Sequence, residues 1–231
     1  MSRPVVAFDI EVVGTPWDQL DEATRGYLLN RARSPEDRDS VPEKTALVPG
    51  IGKVVAIAFW RLDLDTGGIL LEGDDSGGFS EWDRVPGSMI CTGDEPTLLR
   101  TFWEKAKEYG RLVSYYGRGY DGPVLLIRSA MHGIAQSRKL AAGYRYAIGD
   151  HCDLFDVLSF HGSSGRYSLD YWCRRFGVES PKGSLDGSQV GSAYREGRIM
   201  EIGEYCLRDA RATAQLYQAL EPTLLPLFRD R

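Results

Sequence analysis

The sequence is poor in the residues that build zinc sites and disulfide frameworks. Its four cysteines, Cys91, Cys152, Cys173 and Cys206, are scattered, with no Cys-x-x-Cys pair and no histidine at zinc spacing. That excludes a zinc ribbon or finger and offers no disulfide frame. No apolar run approaches the roughly 18 residues needed to cross a bilayer. The amino terminus, Met-Ser-Arg-Pro, leads into an apolar stretch without a signal-peptide pattern, so a cytoplasmic chain with no membrane partner is expected. Positive charge is also short, and the formal net charge is −5. This does not speak against a nucleic-acid partner, because a site of four carboxylates would supply four of those five charges and bound divalent ions would reverse the local sign. Internal repeats and low-complexity tails are absent. What is present is core-forming material: 42% hydrophobic and 11% aromatic residues in 231 suit one large domain over 1–231.

The stretch that organises the rest is Val5 to Glu11, Val-Val-Ala-Phe-Asp-Ile-Glu. A short apolar run of this kind predicts a buried strand. Alternation along a strand turns Asp9 and Glu11 to one face and Ile10 to the other. Two like charges at the end of an apolar strand are unfavourable unless a cation lies between them, so either a divalent metal site or a solvated strand end is implied.

Further strands are predicted over 53–62, over 69–71 after a Gly67-Gly68 turn, and over 111–116, the first three strands forming an antiparallel meander. Residues 34–52 and 72–93 read as loops. Helices are predicted over about 17–33, from Asp94 with Pro96 in the first turn, and over about 123–132, 154–161, 168–177 and 199–220. The order β-β-β-α-β-α-(β)-α-α implies a mixed α/β sheet whose later strands connect through helices. That is the order of a ribonuclease H-like fold, expected here as a five-stranded sheet flanked by helices.

Two more signals carry chemistry. In Ser114-Tyr115-Tyr116-Gly117-Arg118-Gly119-Tyr120-Asp121-Gly122-Pro123, Asp121 falls at a strand-to-helix junction, where capping of the helix amides is the ordinary role. In Ile202-Gly203-Glu204-Tyr205-Cys206-Leu207-Arg208-Asp209-Ala210, Tyr205 and Asp209 share a helical face. Ile202, Cys206, Ala210 and Thr213 turn that face inward, where a hydroxyl and a carboxylate need partners: a metal with bound water would serve, and a core tyrosine is the plainer reading. Asp153 and Asp156, near a helix start, read as capping or structural.

Taken together and in order, these three signals resemble the DEDD exonucleases, specifically the tyrosine subclass (DEDDy) found in proofreading domains of DNA polymerases. The segments 117–125, 151–154 and 182–190 look like those of the predicted exonucleases related to family-B polymerase proofreading domains, and the similarity runs from residue 5 to about 220. The resemblance implies a metal-dependent 3′→5′ exonuclease that hydrolyses phosphodiester bonds at the 3′ end of single-stranded nucleic acid, with DNA favoured over RNA. It implies that Asp9, Glu11, Asp121 and Asp209 bind two divalent ions, Mg²⁺ or Mn²⁺, in a two-metal-ion mechanism, with Tyr205 orienting the attacking water. The histidine subclass carries His five residues before the last Asp, where this sequence has Glu204. At a position where the family usually has Asn stands Tyr116, which would instead stack on a base. Arg118, Tyr120 and Lys182 are the remaining candidate substrate contacts, as basic or aromatic groups beside Gly-rich turns; Arg174 and Arg175 read as solvated. Two other functions fit the same fold: a nucleic-acid-binding subunit that has lost turnover, and a nuclease confined to short oligonucleotides.

Overall fold

A computed structural model describes residues 3–181, 183 and 185–228. Among them, β1 (Val5–Val13), β2 (Lys53–Arg61), β3 (Thr66–Glu72), β4 (Ser80–Trp82), β5 (Ser88–Gly93), β6 (Arg111–Ser114) and β7 (His151–Asp153) form one mixed sheet. Its spatial order is β4-β5-β3-β2-β1-β6-β7. The helices are α1 (Glu22–Asn30), α2 (Pro35–Ser40), α3 (Glu95–Ala106), α4 (Asp121–Met131), α5 (Leu154–Leu158), α6 (Leu169–Phe176), α7 (Val190–Arg195) and α8 (Ile199–Leu220).

The antiparallel meander β1-β2-β3 is as expected, while β6 and then β7 add parallel to β1. The carboxyl ends of β1, β6 and β7 therefore point the same way, the end of a parallel sheet where ligand sites commonly form. Strand β1 divides the core. Val6, Phe8, Ile10 and Val12 pack with Leu98, Leu99, Phe102 and Trp103 of α3. Ala7 and Val13 pack on the other face with Ile202, Cys206 and Ala210 of α8. Asp9 and Glu11 belong by alternation to the α8 face.

Small residues let α8 lie close to the sheet. Ala56 and Ala58 stand opposite Glu11 and Asp9 in the β1–β2 register, and Cys206, Ala210 and Ala214 meet them from the helix. At Gly67, a Cβ would fall 2.7 Å from the Trp60 ring and 2.9 Å from Leu207 Cδ1. That close approach explains why Gly67-Gly68 lies inside β3 rather than forming a turn. The turn comes earlier, with Asp65 at φ 49° accepting a hydrogen bond from Trp60 Nε1 at 2.9 Å.

Two further expectations need correction. The sheet has seven strands rather than five, because β4 and β5 form within the segment read as a loop. Strand β5 runs parallel to β3, and β4 closes antiparallel onto β5. Residues 34–52, also read as a loop, contain α2 and a 3₁₀ helix over Val41–Leu47. Helix α2 starts at Ser34, whose side chain accepts from the Asp37 amide, with Pro35 in the first turn, an N-cap arrangement legible in those two residues.

Candidate active site

Three parts of the fold bring the five expected residues to one place. Strand β1 supplies Asp9 and Glu11. The turn after β6 supplies Asp121 at the start of α4, and α8 supplies Tyr205 and Asp209 one turn apart. Glu11 and Asp121 are buried, whereas Asp9, Tyr205 and Asp209 keep partial exposure. Carboxylate oxygens of Asp9 and Glu11 and the Cys206 sulfur lie within 4.8 Å of one another.

The electrostatics report the crowding. Burial raises the pKa of Asp9 well above the ordinary carboxylate range, and Asp209, Glu11 and Asp121 raise it further. Burial, then Asp209 and Asp121, do the same to Glu11. Asp121 is pushed up to about 8, by burial first and then by Asp153 and Asp209. Asp209 rises to about 6 through burial, against the opposing effects of the Tyr205 hydroxyl and Arg208. Each acid is thus held where burial makes its negative charge unfavourable, and for Asp9, Glu11 and Asp121 negative neighbours add to that. A donor set of only carboxylate oxygens, short of positive charge, suits a hard divalent cation that keeps some of its waters.

Cys206 is the neighbour that sequence reasoning placed only as an apolar helix residue. Its thiol donates to the backbone oxygen of Asp9 at 3.4 Å. Burial, then Asp9 and Glu11, push its pKa well up, so it stays a neutral thiol. Its position one residue after Tyr205, on the inward face of the helix, was the available signal.

Tyr205 is neutral for the same reasons: burial, then Asp209, Glu11 and Asp9, raise its pKa. Its hydroxyl also faces Gly187, where a Cβ would come within 3.7 Å of it.

Asp121 is not a capping residue: the N-cap of α4 is Tyr120, with no side-chain capping bond. The capping and tethering fall to Asp153, which accepts from the amides of Tyr116 at 2.9 Å, Arg118 at 2.8 Å and Phe155 at 2.9 Å. One buried carboxylate therefore fixes the turn that presents Asp121 and also begins α5.

The other expected contacts are dispersed. Arg118 directs its guanidinium to backbone oxygens, Ala147 at 2.7 Å and His151 at 3.2 Å. It straps the loop before β7 rather than standing free for a phosphate. The Tyr120 hydroxyl donates to Ala46 O at 2.8 Å, and burial, then Asp121, Glu11 and Asp9, raise its pKa. Tyr116 is 44% exposed. Lys182 lies outside the described residues. Arg174 is exposed and paired with Asp170 one turn earlier.

The fold and this constellation define an α/β chain of the ribonuclease H-like type seen in polymerase exonuclease domains. A family B DNA polymerase from the hyperthermophilic archaeon Pyrobaculum calidifontis superposes with a TM-score of 0.63 at 20% identity. The match covers 99% of this chain and 26% of that one, so the chain spans about a quarter of the polymerase. Residues 53–223 match the family described as "Predicted 3'-5' exonuclease related to the exonuclease domain of PolB", and the chain belongs to that family. Asp9 and Glu11 precede the matched segment; their membership of the site rests on the geometry above. No curated protein matches the sequence. Among the described residues, no helix is long and apolar enough to cross a membrane.

Proposed function

We propose that the chain, acting as one domain, is a metal-dependent exonuclease that removes nucleotides from the 3′ end of single-stranded nucleic acid, DNA in preference to RNA. The observation that carries this reading is the convergence of four carboxylates from β1, the β6–α4 turn and α8, all with pKa values raised first by burial, with Asp209 raising those of the other three and a neutral tyrosine beside them. Asp9, Glu11, Asp121 and Asp209 would hold two divalent ions, Mg²⁺ or Mn²⁺. When bound, the ions supply positive charge for activating water and for stabilising the departing 3′ oxygen.

The chain's own residues do the rest. In the reaction a water oxygen bonds to the terminal phosphorus, the bond to the 3′ oxygen breaks, and that oxygen gains a proton. Tyr205 orients the water by hydrogen bond; its raised pKa makes it unsuited to act as a base at neutral pH. Asp153 keeps the 116–121 turn, and with it Asp121, in position. Tyr205→Phe, which keeps the ring and removes the hydroxyl, should lower turnover about 10²-fold while leaving Mn²⁺ affinity near wild type.

The reading is tested with 5′- and 3′-labelled single-stranded DNA and RNA oligomers in Mg²⁺, Mn²⁺ or EDTA, using wild type beside Asp9→Ala. A metal-dependent ladder shortening from the 3′ end, absent in the variant, is expected. No cleavage in any metal, with the oligomer still bound, would sink the enzyme and favour a binding subunit. Cleavage of dimers to tetramers alone would favour an oligonucleotide-specific nuclease.

A further inference from the structure

Beyond the carboxylates, the same edge of the molecule carries aromatic rings that the chemistry above does not use. Tyr116 has φ 68°, a left-handed backbone rare for a bulky side chain and held only where surrounding structure enforces it. Here the enforcement is the pair of amide bonds to Asp153 on either side of Gly117. The Tyr116 ring then folds across the turn over Gly119, where a Cβ would approach it to 2.5 Å. It meets Phe155 edge-on at 4.7 Å.

The aromatic surface continues away from the site. The neighbouring Tyr115 ring also contacts Phe155 edge-on, and its hydroxyl donates to the backbone oxygen of Tyr167. Tyr167 and Tyr171 stack with centroids 4.5 Å apart and planes 19° from parallel. Trp172 braces both from the side, at 5.6 and 5.1 Å. Tyr167 is 45% and Tyr171 40% exposed, so a stacked pair braced from the side keeps aromatic surface toward solvent. Arg166 adds a cation, its guanidinium 5.9 Å from the Phe155 ring centre. The far end of this surface returns to the carboxylates, because Leu169 and Trp172 of α6 pack on the same core cluster as Tyr205 of α8.

We infer that Tyr116, Phe155, Tyr167 and Tyr171, with Arg166, form a stacking track for unpaired bases of a single nucleic-acid strand whose 3′ end lies at the carboxylates. The inference rests on the exonuclease reading for the location of that end. Three properties select this occupant. Every base has a π-face that such rings accept without regard to sequence. A guanidinium between rings suits a phosphate backbone. In a duplex, base faces are covered by their neighbours, so the track favours single strands. The rings are fixed before binding, which lowers the ordering entropy on association.

The test measures binding without turnover, by fluorescence anisotropy of labelled oligothymidylates of 2, 4, 8 and 12 nucleotides in EDTA, with a blunt duplex alongside. The double variant Tyr167→Leu, Tyr171→Leu keeps apolar bulk and removes the π-faces; Tyr167→Phe, Tyr171→Phe keeps them. The Leu pair should weaken 8- and 12-nucleotide binding roughly tenfold or more, leave the dinucleotide and the duplex unchanged, and the Phe pair should match wild type. Equal weakening at all lengths, or wild-type affinity in the Leu pair, overturns the track. A wild-type dimer that the Leu pair dissociates, with oligonucleotide affinity unmoved, would overturn it in favour of a contact between copies. Because the readout is affinity, an inactive wild type that binds with this tyrosine dependence defeats the exonuclease reading and leaves the track standing. An active wild type with an indifferent Leu pair does the reverse.

Discussion

Two regions of this molecule bury carboxylates, one on each face of the sheet, and they do so to opposite effect. On the α3–α4 face, Glu95 is 3% exposed yet its pKa is lowered, because bonds to Arg128, the Val54 amide and His132 outweigh burial. Val54 N donates at 2.9 Å and Arg128 Nε at 2.8 Å, while His132 Nε2 lies 2.9 Å away. On the α8 face, Asp9, Glu11, Asp121 and Asp209 are raised, since no set of bonds there outweighs burial and, for the first three, neighbouring carboxylates add to it. Burial is common to both, so burial is not the difference. A well-partnered carboxylate joins β2, α3 and α4; a group of carboxylates whose partners do not offset burial is destabilising, and the proposed cation would offset it.

The comparison breaks most sharply at Asp9→Asn. Loss of metal-dependent cleavage on the order of 10³-fold is expected, while the metal-free protein gains stability, by about 1–2 kcal/mol in urea unfolding with EDTA at pH 8. Glu95→Ala should do the opposite. Removing one member of a buried pair strands Arg128, and a loss of about 3–5 kcal/mol is expected, with the folded fraction still cleaving. If the two substitutions changed stability in the same direction, the contrast between the faces would be lost.

A smaller effect follows from pH. Asp121 at about 8 and Asp209 at about 6 lie above their unfolded values near 3.9, so between those limits the folded state binds more protons than the unfolded one. Stability of the metal-free protein should therefore fall as pH rises from about 4 to about 8. Glu95 has the reverse sign: its contribution is full above about 4.5 and is lost as pH falls through its lowered pKa. Melting curves in EDTA from pH 5 to 8 read the first slope, and adding Mn²⁺ should raise the melting temperature more at pH 8 than at pH 5.

The smallest expected effect is at Arg118. Arg118→Ala leaves the carbonyls of Ala147 and His151 without their donor, so a loss of about 1–3 kcal/mol is expected, with the salt dependence of oligonucleotide binding unchanged. A reduced salt slope instead would make Arg118 a phosphate contact.

Much of this was legible in the residues themselves. Alternation along β1 set Asp9 and Glu11 against Ile10, and the four-residue spacing in α8 stacked Tyr205 on Asp209, because both periods are properties of the backbone alone. The limits of α8 are likewise those its apolar spacing predicts. What escaped depends on distant partners. Strands β4 and β5 are short and rich in Ser and Gly, and pairing with β3, not local propensity, makes them strands. Gly67-Gly68 resembles a turn until Trp60 and Leu207 are seen to need the space. Arg118 sits in a Gly-rich turn like a phosphate contact, but the direction of a long side chain is decided by the carbonyls of a loop some 30 residues away. Glu95, the buried carboxylate of the opposite face, gave no signal beyond helix entry, since its partners come from β2 and α4.

The most direct test of the central claim, that the α8 face is a divalent-cation site, is a Mn²⁺ titration at pH 7.5 in which free Mn²⁺ is followed by electron paramagnetic resonance. Wild type and Glu95→Gln should bind Mn²⁺ alike, and the double variant Asp9→Asn, Asp209→Asn should not bind it. Equal binding by wild type and the double variant, or none by either, would contradict the account.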